Sequence, residues 1–137
     1  MNKEKGDFQK RLLSTFRVEA DEHLKSITSG LIELEKDPEP QVKAEIIEMV
    51  FREAHSLKGA ARAVDLAEIV TICQSLENVF SALKRGEIHT GPLMFDTLHK
   101  AVDILNGLNL SSPDGVHVDK NDISGIIEKI NKVEIGQ

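Results

Sequence analysis

The sequence predicts an all-α protein, an antiparallel up-down four-helix bundle with an additional short fifth helix at its C-terminal end. Apolar residues recur three or four positions apart along almost every segment. No stretch shows sustained two-residue alternation bounded by turn residues. With 137 residues, the chain is sized for one compact domain around one core.

The first helix is expected over about residues 7–36, where Phe8, Leu12, Phe16, Ala20, Leu24, Ile27, Leu31 and Leu34 form one stripe. "DPEP" (37–40) ends it, because a residue preceding proline is pushed out of the α region. The second helix, about 41–62, offers Ile47, Val50, Ala54, Leu57 and Ala61 to the core. "DLAE" (65–68) reads as a capping box, with Asp65 as N-cap and Glu68 three residues on. The third helix, about 66–86, buries Ile69, Cys73 or Ile72, Leu76, Phe80 and Leu83 and stops at Gly86. In "HTGP", Pro92 suits the first position of a fourth helix, where its missing N–H is harmless. That helix, about 92–108, presents Phe95 or Met94, Leu98, Val102 and Leu105. Residues 1–110 then hold the bundle, and 111–137 a linker, "SSPDG", and a short helix at about 120–133 with Ile123, Ile126 or Ile127, and Ile130.

Composition narrows the function. A net charge of −6, no Trp or Tyr and five Phe argue against nucleic acid, which calls for a broad basic face or a stacking platform. No apolar run approaches the roughly 20 residues that span a bilayer, and the polar "MNKEKGDFQK" is unlike a secretory signal. A single cysteine, Cys73, makes no internal disulfide, so a cytoplasmic protein is expected. On the apolar stripe of its helix, Cys73 reads as a small buried hydrophobe rather than a nucleophile. Neither HExxH nor a pair of Glu-x-x-His motifs is present, and neither is a glycine-rich phosphate cradle, so no metal or ATP site is expected in this chain.

The chemistry concentrates in "FREAHSLKGAAR" (51–62). Away from the apolar stripe, the second helix carries Glu48, Arg52, His55, Gly59 and Arg62 on one face. Gly59 costs a helix interior up to about 1 kcal/mol against alanine. Helical side chains lean toward the N-terminus, so a large residue at 59 would cover the imidazole one turn earlier. Lys58 lies within reach of anything attached to that ring, and Arg52 and Arg62 add positive charge in an otherwise acidic protein. The group suits a dense anion.

"AHSLKGAAR" resembles the phosphorylation motif of histidine-containing phosphotransfer (HPt) domains, a histidine, two residues, then Lys-Gly. "FRVEADEHLKSITSGLIELEKDPEP" and "LENVFSALKRGEI" are similar to the N-terminal phosphotransfer domain of CheA-type chemotaxis histidine kinases, and the resemblance spans roughly residues 8–108. It implies that His55 is the phosphoacceptor and that Glu77, 22 positions on, holds its imidazole. A carboxylate accepting the N–H at Nδ1 fixes the tautomer and leaves Nε2 as nucleophile. Lys58 would then offset charge on the transferring group. Where relatives commonly carry a second histidine, this chain has Gln74, which hydrogen-bonds but carries no charge and relays no proton. Asp65 stands where relatives tend to have glycine.

The implied partners are the ATP-binding domain of a histidine kinase, which brings ATP and Mg²⁺, and a response-regulator receiver domain, which brings its own Mg²⁺. No cofactor resides in the chain itself, and no nucleic acid or membrane is a partner. Such a module is inert with ATP alone. The isolated domain is expected to be monomeric, and the polar linker and fifth helix favour a fragment of a CheA-type kinase over a free-standing protein. Its rivals are a helical adaptor that docks a partner without carrying phosphate and, more remotely, an enzyme such as a phosphatase or metal hydrolase.

Overall fold

The computed structural model describes residues 2–110 and 120–134, and all their regular structure is helical. Five helices follow one another: α1 (Asn2–Glu35), α2 (Pro40–Ala63), α3 (Ala67–Lys84), α4 (Pro92–Leu110) and α5 (Lys120–Glu134). Helices α1 to α4 form the expected antiparallel bundle. The cross-links give its direction, since Glu53 on α2 meets His23 on α1, while Glu48 and His55 on α2 meet Lys84 and Glu77 on α3. Between α1 and α4, the Asn109 side chain donates to the Arg17 carbonyl at 3.0 Å, and His99 pairs with Glu35 at the opposite end. Helix α5 packs against both α3 and α4 through Ile123, Ile126 and Ile130. Ile127 takes the partly buried side.

The core stripe of α1 runs from Phe16 to Leu34. Phe8 and Leu12, expected to continue it inward, are exposed. The reason is length: 34 residues make about 51 Å of helix, whereas the 24 of α2 make about 36 Å, so the first turns of α1 overhang the bundle. The alternatives elsewhere resolve simply. Ile72 and Cys73 are both buried, and Met94 faces the core with Phe95 beside it. "SSPDG" lies outside the described residues. Among those described, no helix is long and apolar enough to cross a membrane.

One helix boundary is built differently from the sequence expectation. Asp65 is not the N-cap of α3. That position belongs to Leu66, which makes no side-chain cap bond, and Asp65 adopts φ 59°. The Asp65 N–H donates to the Arg62 carbonyl at 3.2 Å and the Leu66 N–H to the Ala61 carbonyl at 3.0 Å. These two bonds with a left-handed residue between them are a Schellman ending of α2. The same closure ends α3, where Gly86 has φ 74° and the Gly86 and Glu87 N–H groups bond Leu83 and Ala82. A three-residue connection from α2 to α3 leaves no residue to spare for a separate cap, so Asp65 serves as the stop of one helix rather than the start of the next. Asp65 takes the left-handed position usually given to glycine, which a short polar side chain tolerates.

Candidate functional site

The site lies on the seam between α2 and α3. On α2, Ala54 and Leu57 point into the core, and His55, one residue past Ala54, is turned about 100° toward α3 and solvent. On α3, Leu76, Val79 and Phe80 are fully buried, and Glu77 is drawn in beside them. The His55 side chain is 64% exposed and that of Glu77 7% exposed, and Nδ1 and Oε1 are 2.7 Å apart. With the carboxylate ionised, Nδ1 carries the proton and donates it into this bond, and in the neutral ring this leaves the Nε2 lone pair free.

The second carboxylate oxygen of Glu77 faces Lys58. Its Nζ stands 2.6 Å away as an ion pair whose angles fall outside those of a hydrogen bond. The ammonium donates instead to Gln74 Oε1 at 3.0 Å, and Gln74 Nε2 donates to Asn78 Oδ1 at 3.0 Å. Lys58 is only 12% exposed. Lys58, expected from sequence to reach toward the imidazole, is placed here against the buried carboxylate. His55, Glu77, Lys58 and Gln74 thus converge in one network.

Gly59 lies on the same face, exposed, and a Cβ added there would meet no atom within 4 Å. The fold does not require a glycine at this position. Any demand for one comes from longer side chains or from a body approaching His55.

Sequence reasoning missed the other flank. Phe51, one turn before His55, lies parallel to the imidazole, with ring centroids 6.3 Å apart and planes 7° apart. Lys84 Nζ lies 5.8 Å from the centre of the Phe51 ring and 2.7 Å from Glu48, which also accepts from Arg52 Nε at 3.2 Å. The Lys84 hydrogen bond is the main cause holding the Glu48 carboxyl below its ordinary range. The i to i+4 spacing of Phe51 and His55 was the available signal; the partners from α3 had none.

Two further histidines are bonded to glutamates. His23 Nδ1 meets Glu53 at 2.6 Å between α1 and α2, and His99 pairs with Glu35 between α1 and α4. Their side chains are 26% and 33% exposed, so His55 offers far more of its ring to solvent. Beneath the site, burial pushes the Cys73 thiol up to about 12, with the Glu77 carboxylate adding to the effect and Lys58 opposing it. Such a thiol is protonated and inert at neutral pH.

A histidine presented by one helix of an up-down bundle and held by a carboxylate from the next is the arrangement of a phosphotransfer domain. The Hpt domain family model matches residues 11–107. The chain belongs to that family, and it is a phosphotransfer module of two-component signalling. Among its relatives, the chemotaxis protein CheA of Bacillus subtilis is 32% identical over 119 residues, 87% of this chain and 17% of that protein. The chemotaxis protein CheA of Borreliella burgdorferi is 29% identical over 121 residues, 88% of this chain and 14% of that protein. The gliding motility regulatory protein of Myxococcus xanthus is 35% identical over 101 residues, 74% of this chain and 12% of that protein. The chain thus spans under a fifth of the length of these relatives.

Proposed function

We propose that His55 is the phosphoacceptor, charged by the ATP-binding domain of a CheA-type histidine kinase and discharged to an aspartate of a receiver domain. The observation that carries this reading is the pairing of an exposed imidazole with a buried carboxylate at 2.7 Å. The Nε2 lone pair attacks the γ-phosphorus of ATP, the N–P bond forms, and the bond to the bridging oxygen breaks, with ADP leaving on the electron pair. The Nδ1 proton stays in its bond to Glu77, so the phosphorylated ring gains no second proton from that side. In the second step a receiver carboxylate oxygen attacks phosphorus and the N–P electrons return to Nε2. Both steps depend on positioning and on local positive charge. Lys58 supplies that charge by moving from Glu77 toward the phosphoryl group, while Gln74 holds it near the ring at rest.

On this reading ATP and Mg²⁺ arrive with the kinase, and a second Mg²⁺ with the receiver. Meeting an ATP-dependent kinase sets the module in the cytoplasm. Incubation with ATP and a CheA-type kinase core, with His55→Gln alongside, tests it. Acid-labile, base-stable label on the wild type alone is expected. Absence of label with several competent kinases would leave the adaptor reading in its place.

A further inference from the structure

A hydrogen bond at Nδ1 restrains the imidazole only softly, because such a bond tolerates a broad range of angles. With most of the ring in solvent, it remains able to swing about its Cβ–Cγ bond within that tolerance. The Nε2 lone pair lies in the ring plane, so each such swing takes it off the line to phosphorus, and transfer requires that line. A second contact narrows that swing, and Phe51 supplies one. Its ring lies 7° from parallel to the imidazole at 6.3 Å, within the separation at which offset aromatic pairs attract. Helical side chains lean toward the N-terminus, which brings His55 over the turn that carries Phe51.

Phe51 is itself restrained from α3. Lys84 lies over its ring, and the Lys84 ammonium is tied to Glu48 at 2.7 Å. Helix α3 thus bears on the imidazole twice, through Glu77 at its edge and through Lys84 on the aromatic ring it stacks against. We propose that Phe51 is a positioning residue that sets the plane of the His55 imidazole, and that Lys84, anchored by Glu48, steadies Phe51. The inference rests on His55 being the phosphoacceptor.

The test uses Phe51→Leu, Phe51→Tyr and Lys84→Met in the full chain. In the unphosphorylated protein, Phe51→Leu removes the ring-current displacement of the His55 ring protons seen by NMR while the Nδ1–H tautomer persists. With the kinase core, Phe51→Leu lowers kcat by roughly five- to tenfold with KM within about twofold, the split expected of lost alignment rather than lost docking. Phe51→Tyr keeps both the ring shifts and kcat within about twofold of wild type, and Lys84→Met loses about two- to threefold in kcat. Wild-type kcat in Phe51→Leu, or equal losses in the leucine and tyrosine variants, overturns the proposal. If Phe51→Leu proves poorly folded, Lys84→Met decides: wild-type kcat with unmoved Phe51 ring protons overturns it. The ring shifts require no phosphate, so a wild type that takes no label sinks the acceptor reading while the shifts decide the contact separately.

Discussion

Glu77 reaches His55 from inside the bundle: its carboxylate is buried at the α2–α3 seam while the imidazole it bonds at 2.7 Å stands in solvent. An exposed pair would contribute little to stability. Burial changes the expected result of substitution. Glu77→Ala leaves the largely covered Lys58 without its anion, and a loss of about 1–3 kcal/mol in chemical denaturation is expected. Phosphorylation should slow by roughly 10- to 100-fold, by analogy with the loss when a carboxylate that orients a metal-bound histidine is removed. Glu77→Gln keeps an acceptor for Nδ1–H but sets a neutral amide against Lys58, so it should recover part of the rate and little of the stability. Unchanged phosphorylation in both variants would remove Glu77 from the site.

Two helical glycines should respond in opposite ways to alanine. At Gly59 the new methyl meets nothing within 4 Å, so Gly59→Ala should stabilise by about 0.5–1 kcal/mol and accept phosphate normally. Gly59→Leu should fold as well but be phosphorylated more slowly by the kinase core. A leucine variant charged at full rate would end the access role. At Gly30, where α1 crosses α2, an added Cβ would clash with Val50 Cγ1 and sit 3.0 Å from Met49 Cε. Gly30→Ala should therefore lose about 1–3 kcal/mol, because a stiff valine must move.

At Asp65, with φ 59°, stability should follow backbone tolerance rather than side-chain contact. Glycine should equal or exceed aspartate, alanine should fall below it, and valine lowest, over a span of about 1–2 kcal/mol. Thermal melts of the four proteins give the order. If alanine or valine instead matches aspartate, the left-handed conformation carries no cost.

Cys73 links stability to alkaline pH. Its folded pKa is raised from an ordinary 9.0 to about 12. Above pH 9 the unfolded chain releases the thiol proton while the folded protein keeps it, so rising pH favours unfolding. This contribution is complete below pH 9 and is lost between about 9 and 12, at up to about 1.4 kcal/mol per pH unit. The stability difference between wild type and Cys73→Ala should shrink over that window and stay level from pH 6 to 8. A difference that stays level up to pH 11 would show that the thiol titrates normally. Alkylation of the native protein should be slow throughout the neutral range.

The helices were legible because their signals are local. The stripe from Phe16 to Leu34, Pro92 at the start of α4 and Gly86 past the end of α3 each act within a turn or two of chain. Asp65 was misjudged because aspartate suits both an N-cap and a left-handed stop, and only the length of the connection separates the two. Phe8 and Leu12 share the apolar period of α1, but whether they are covered depends on how far the other helices extend.

By itself, the amino-acid sequence determined that this is an all-α bundle and that His55, Lys58 and Gly59 share one helical neighbourhood, since a 3.6-residue period places side chains without reference to any other helix. Only the tertiary structure decided that Glu77 is buried, that Lys58 spends its charge on that carboxylate, and that Lys84 lies over the ring stacked on His55. Those contacts depend on the register in which α3 lies against α2. That register is set by the packing of buried side chains on both helices, and no single residue carries it.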